Sequence, residues 1–148
     1  MTVADKTAAS QSEAIAFEFH LAHAPAKVWR ALTEPALLAE WLLPVIGFEL
    51  EPGAAFTFKT DPHPGWDGSV DCQILEVDPL RTLSYSWAVG GMALETVVTF
   101  TLTPIATGTR LTLVQSGFKP DQKPNFGGAR YGWRMMGGRL VALLERTS

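Results

Sequence analysis

The stretch FGGARYGWRMMGGRLVALL, Phe126–Leu144, decides the fold. Phe126, Trp133, Met136, Leu140 and Leu143 recur at helical spacing, while Arg130, Arg134 and Arg139 offer charge to solvent. It is the one stretch long enough, and apolar enough on one side, to cover a whole sheet. Five glycines punctuate it, at 127, 128, 132, 137 and 138. Each costs roughly 0.5–1 kcal/mol of helix relative to Ala, so their number implies close backbone approach, a bend, or room beneath the helix.

The segments before it read as the sheet such a helix would cover. Ile15, Phe17, Phe19 and Leu21 alternate with Glu18 and His20, the mark of a half-buried strand. Pro25 then suits a first helical turn; Val28, Trp29 and Leu32 make one apolar stripe, and Leu37, Leu38 and Trp41 a second. Two short helices follow, ended by Pro44, with Trp29 and Trp41 as their anchors. Further strands are expected over 45–50, 54–59, 66–77, 81–87, 94–102 and 109–115, separated by Gly/Pro turns that imply antiparallel neighbours. Along 66–77 the inward set changes from Val70, Cys72 and Ile74 to Leu75 and Val77, which predicts a bulge near Leu75. Gly90-Gly91 closes a hairpin, and the pattern fails from Ser116 to Asn125, a loop into the last helix. The fold class is α+β: a seven-stranded curved antiparallel sheet around a long C-terminal helix, with two short helices after the first strand. Residues 1–13 lack periodicity and are expected to form a flexible tail, and 14–146 a single domain.

Composition narrows the functions. A hydrophobic share of 47% supports a real core and excludes disorder as the main state. The net charge of -3 argues against a general nucleic-acid binder. From Lys119 onward six basic side chains stand against two acidic ones, so the final helix carries a basic face, either solvated or docked on an acidic partner. The single cysteine, Cys72, forms no internal disulfide and no thiolate metal cluster; its inward parity reads as a buried structural thiol. His20, His23 and His63 are scattered without metal-ligand spacing, so no metal or cofactor is expected. No apolar run suits a membrane span and no signal pattern opens the chain, so the expectation is cytoplasmic, as a monomer or homodimer.

A concave sheet cannot touch a straight helix equally along its length, which predicts a cavity between them. Its expected lining is Phe56, Phe58, Trp66, Tyr85, Trp87, Phe126 and Trp133, rigid rings suited to a flat or greasy ligand, with Phe100 in the same aromatic set. Met92 and Met136 would adapt the pocket to shape, with Met135 at its margin. Thr96 and Gln115 fall on inward parities and would offer hydrogen bonds. Glu95 lies opposite the apolar face of its strand, in water unless a bulge reverses it; enclosed, it would serve an enzyme as acid or base. The 61–65 turn and the 116–125 loop are placed to gate the mouth.

Several pieces together carry a family resemblance. They are Ala24-Pro25-Ala26-Lys27-Val28-Trp29-Arg30-Ala31-Leu32-Thr33, Leu38-Ala39-Glu40-Trp41, Glu51-Pro52-Gly53-Ala54-Ala55-Phe56, Gly68-Ser69-Val70, Ile74-Leu75-Glu76-Val77-Asp78-Pro79, Leu83-Ser84-Tyr85-Ser86-Trp87, Gly108-Thr109-Arg110-Leu111-Thr112-Leu113, Ser116-Gly117-Phe118 and Gly132-Trp133. In this order, from about Ile15 to Leu144, they resemble the bacterial proteins similar to the C-terminal domain of the activator of the Hsp90 ATPase. That family sits in the helix-grip superfamily of START and birch-pollen-allergen-like domains. The resemblance implies the helix-grip fold and a cavity under the C-terminal helix. It leaves three activities open: binding of a small hydrophobic or aromatic ligand, a cyclase or hydrolase-like enzyme in the same cavity, and a chaperone-associated protein-binding module using Arg130, Arg134 and Arg139.

Overall fold

The computed structural model describes residues 1–7, 14–62, 66–89, 95–119 and 123–147. Its elements in chain order are β1 (Thr2–Asp5), β2 (Ala14–Leu21), α1 (Pro25–Thr33), α2 (Pro35–Trp41), β3 (Val45–Ile46), β4 (Ala55–Lys59), β5 (Ser69–Asp78), β6 (Thr82–Val89), β7 (Glu95–Ile105), β8 (Gly108–Ser116) and α3 (Lys123–Arg146). The strands form one sheet in the order β1-β2-β8-β7-β6-β5-β4-β3, antiparallel throughout. This is the helix-grip arrangement expected from the sequence, with one strand more.

That strand corrects the reading of the N-terminus. Thr2–Asp5, expected within a loose tail, pairs with β2 from Thr2↔His20 to Asp5↔Phe17. Four residues are too few to show periodicity, and the contact that fixes them is distant. The Asp5 carboxylate accepts hydrogen bonds from Arg130 Nε at 2.5 Å and Arg134 Nη2 at 3.0 Å, both on α3. Thr7 N–H donates to its other oxygen at 3.0 Å. Partial burial of Asp5 raises its pKa, but the Arg130 and Thr7 hydrogen bonds outweigh this and hold the carboxyl below its ordinary value.

The other strand boundaries move less. The stretch expected as a strand over 45–50 pairs only at Val45 and Ile46, and Phe48 leaves the sheet to pack edge-on against Phe56. The long strand begins at Ser69 rather than Trp66. The bulge is where the parity change put it, with register slipping between Ile74↔Tyr85 and Glu76↔Ser84. Leu75, expected inward, is the extra residue and is 48% exposed. The Gly90-Gly91 hairpin and His63 lie outside the described residues.

Both short helices form as expected. Ala24 stays extended, Pro25 opens α1, and Val28, Trp29, Ala31 and Leu32 are buried. Trp41 anchors the pair, its indole N–H donating to the Ala31 carbonyl at 2.8 Å inside the core. Lys27 ties this corner to the end of α3, donating to the carbonyls of Leu144 and Thr147 at 2.8 and 2.6 Å. It satisfies carbonyls that the helix end leaves unpaired. Beside the same corner Gly108 has φ +144, and a Cβ there would lie 2.1 Å from the Leu21 carbonyl and 2.7 Å from the His23 nitrogen.

Helix α3 extends from Lys123 to Arg146, longer at its start than the pattern showed, because Pro124 is tolerated in a first turn. Trp133, Leu140, Leu143 and Leu144 are buried beneath it. Gly137 is the point of close approach: a Cβ there would meet the Phe19 ring at 2.8 Å and Val3 Cγ1 at 3.3 Å. Gly127, Gly128 and Gly138 face open space.

The glycines therefore separate in sign. Gly128→Ala should raise stability by about 0.5–1 kcal/mol in urea unfolding, the helix-propensity gain alone. Gly137→Ala should lower it by about 1 kcal/mol, because overpacking against the buried Phe19 ring exceeds that gain. Asp5 gives a pH test. A carboxyl whose folded pKa lies below its unfolded value near 3.8 stabilises fully above that value and loses the contribution as pH falls through the folded pKa. The stability gap between wild type and Asp5→Ala should be constant near neutrality and close in that acid window.

Candidate functional site

Strand periodicity places one residue in two on the concave face. From β4 come Phe56 and Phe58, from β6 Tyr85 and Trp87, and from β7 Phe100, all buried. They form one continuous aromatic layer: ring centroids are 5.3 Å apart for Phe56–Phe58, 5.2 Å for Phe56–Tyr85 and 5.5 Å for Phe58–Trp87. The helix joins it through Trp133, whose ring centroid lies 5.5 Å from that of Trp87 and 6.1 Å from that of Phe100. At this point the space between sheet and helix is bridged by the indole itself. Edge-to-face and tilted pairs of this kind add about 0.5–1.5 kcal/mol each beyond burial.

A chain of hydrogen bonds runs through the same place. Trp133 Nε1 donates to Gln115 Oε1 at 2.7 Å, Gln115 Nε2 donates to Thr96 Oγ1 at 2.8 Å, and Thr96 Oγ1 donates to the Trp87 carbonyl at 3.2 Å. Trp133, Gln115 and Thr96 are each 1% exposed. The register explains the assembly: Trp87 pairs with Thr96, and Gln115 with both Val98 and Ile15. Trp87, Thr96, Gln115 and Trp133 thus form one unit.

The other expected lining residues divide. Phe126 is buried at the start of α3 and packs edge-on against Phe118, 5.3 Å away. Met136 is half-buried against the core, and Met135 is exposed. Trp66 is half-buried, with its indole N–H committed to the Ser69 carbonyl of its own turn at 2.8 Å. Met92 lies outside the described residues, as do parts of both expected gates, 63–65 and 120–122. The gates are nevertheless attached at one end of the sheet, where β4, β6 and β8 finish and β2, β5 and β7 begin.

Glu95 is exposed, so it does not enter the layer and supplies no enclosed acid or base. Among the described residues the buried titratable side chains are Cys72 and Tyr85. Burial, and then the charge of Asp71, push the Cys72 thiol up; burial, and then Cys72, push Tyr85 up. Both are neutral near pH 7, and a thiol held neutral is a poor nucleophile. His23 sits 3.1 Å from Lys27, and burial followed by that charge lowers its pKa. His20 lies on the surface 2.9 Å from Glu18. No group of three His, Cys, Asp or Glu with metal-binding geometry occurs among the described residues. The basic face expected to dock a partner is partly engaged within the chain, since Arg130 and Arg134 both hold Asp5. Sequence reasoning missed Asp5 and the helix-capping Lys27, because each acts across more than 100 residues of chain.

Two surface grooves lie away from the aromatic layer. One, of about 320 Å³, runs between α1 and the end of α3 beside Lys27, Leu37 and Leu143. The other, of about 680 Å³, surrounds the β5–β6 turn at Pro79, Leu80 and Pro104. No helix among the described residues is long and apolar enough to cross a membrane.

A long helix gripped by a concave antiparallel sheet, with a buried aromatic cluster at the contact, defines a helix-grip protein. The chain belongs to the Activator of Hsp90 ATPase homolog 1-like protein family, whose model matches residues 22–145. A solved protein from Mesorhizobium loti is 43% identical, with a TM-score of 0.84 over 91% of this chain and 98% of that one. One from Chromobacterium violaceum is 26% identical, with a TM-score of 0.76 over 92% of this chain and 100% of the other. DynU16, a protein of the dynemicin biosynthetic locus, is 24% identical with a TM-score of 0.77, over 92% of this chain and 48% of that chain, and shares the fold. No curated protein matches the chain.

The hydrogen-bond chain sets a cost on its first member. Trp133→Phe keeps an aromatic ring under α3 but leaves the buried Gln115 oxygen without its donor. It should lose about 1–3 kcal/mol in chemical denaturation, and replacing Gln115 by Met in the same background should recover part of that loss.

Proposed function

We propose that the protein binds a small hydrophobic or aromatic molecule between the concave face and the first half of α3. The observation that carries this reading is the aromatic layer, Phe56, Phe58, Tyr85, Trp87 and Phe100 on the sheet and Trp133 on the helix. It meets a fully buried polar chain close to one end of the sheet. An amide and a hydroxyl within an aromatic layer each need a partner to offset desolvation; here their bonds seat the helix and also supply polar handles for a guest. Gln115 has a second N–H and a further lone pair on its oxygen, so a guest with one neutral polar group can be oriented there. Removal of apolar surface from water would supply most of the affinity, at roughly 25 cal/mol per Å².

The guest takes the place beside Trp133 that the helix now closes. Entry therefore requires α3 to stand away from the sheet at its first half, or the Trp133 and Phe126 rings to turn aside. Membership in a family whose fold sets a helix over a concave sheet supports the reading. With Glu95 in solvent, binding without chemistry is the simpler reading of the same interior.

The test is a fluorescence titration against fatty acids and aromatic polyketides, read through the intrinsic tryptophans. Trp87→Ala and Trp133→Ala should each weaken the best ligand about tenfold or more, a loss of the size expected for a deleted aromatic contact. Unchanged affinity in both variants, each shown to be folded by its thermal transition, would place the ligand elsewhere.

A further inference from the structure

Helix α3 is held at three places of different character. Its last turns are tied by Lys27 to α1, and Leu140, Leu143 and Leu144 are buried there. Its middle, at Gly137, rests directly on Phe19 of β2 and Val3 of β1. Its first half is held by fewer residues: Phe126 against Phe118, Trp133 with its ring against Trp87 and Phe100 and its N–H on Gln115, and the two arginines on Asp5. This first half also carries Gly127, Gly128 and Gly132, which lower its intrinsic helix stability. β1 supplies both the Asp5 anchor on the first half and the Val3 contact at the pivot. It is an edge strand of four residues, paired on one side only.

We propose that β1 is a releasable clasp on α3. With β1 paired to β2, Asp5 holds Arg130 and Arg134 and the first half of the helix stays down on the aromatic layer. When β1 lifts, α3 keeps its Lys27 tie and its apolar seat from Leu140 onward, while residues 126–134 lose their charged anchor and swing about Gly137. A short edge strand is suited to such release, because its loss breaks one ladder and leaves the sheet intact. The Asp5 side chain is 12% exposed while those of Arg130 and Arg134 are 41% and 61% exposed, so water screens the arginine side of the contact and keeps it weak enough to open. The clasp is thus charge-assisted and still reversible. As a control of access to the interior, the clasp rests on the ligand-binding reading above; as a feature of the helix, it does not.

Hydrogen exchange on the intact chain separates these. In Asp5→Ala, amides of 126–136 should exchange about tenfold faster or more, while those of 140–146 and of β5–β7 keep their wild-type rates. A chain lacking residues 1–7 should show the same pattern more strongly. Unchanged exchange in 126–136 overturns the clasp. So does a rise shared by all elements, which would make β1 a contributor to overall stability only. Stopped-flow uptake of N-phenyl-1-naphthylamine, a neutral probe that fluoresces in apolar surroundings, reads access. It should enter Asp5→Ala faster than wild type by a factor similar to the exchange effect. Equal uptake rates alongside faster helix exchange would overturn the clasp as the control of entry. If neither protein takes up the probe, the ligand-binding reading loses support while the exchange result still decides the clasp.

Discussion

The structure depends on the seating of one glycine-rich helix on a concave sheet. A helix with glycines at 127, 128, 132, 137 and 138 has little intrinsic reason to persist for 24 residues. Tertiary contact supplies that reason. Trp133 reaches down to Gln115, Gly137 lets the backbone settle onto Phe19, and Leu140, Leu143 and Leu144 fill the far end. The same glycine that weakens the helix locally permits the closest approach globally. The sheet curves to meet the helix, assisted by the bulge at Leu75, which relieves the long strand midway.

The interior combines two demands that usually exclude one another. Aromatic burial favours a core without polar atoms, while a polar chain requires every member to be paired. Here both are met in one place, because Trp133 serves as ring and donor at once. The bonds from Trp133 to Gln115 to Thr96 to the Trp87 carbonyl tie α3 to three adjacent strands, β8, β7 and β6. Such a unit fixes the depth and rotation of the helix more sharply than apolar contact, which tolerates sliding. The mechanics at the two ends differ accordingly: Lys27 and leucines hold one end, and a charged clasp with two aromatic contacts holds the other.

Much of this was legible in the residues. Period-two alternation placed Phe56, Phe58, Tyr85, Trp87, Thr96 and Gln115 on one face, and the parity change along β5 located the bulge. Pro25 and Pro35 open the two short helices, as their fixed φ allows. Trp66 packs half-buried against the core with its indole tied in its own turn, a local bond that strand parity does not show. Leu75 was misjudged because a bulge shows in sequence as a change of face, without saying which residue is expelled. β1 was invisible: four residues carry no period, and their pairing is fixed by Asp5 meeting arginines over 120 positions away.

The sequence by itself determined what local periodicity and turn chemistry can encode: the elements other than β1, their order, which face of each of those strands is apolar, and through these the family. Only the tertiary structure decided which inward polar groups pair with each other, which arginines are spent within the chain, and where the helix touches the sheet. Those facts depend on distances between segments far apart in the chain. Such distances are set by the joint packing of the sheet, the two short helices and α3, and no local pattern of residues contains them.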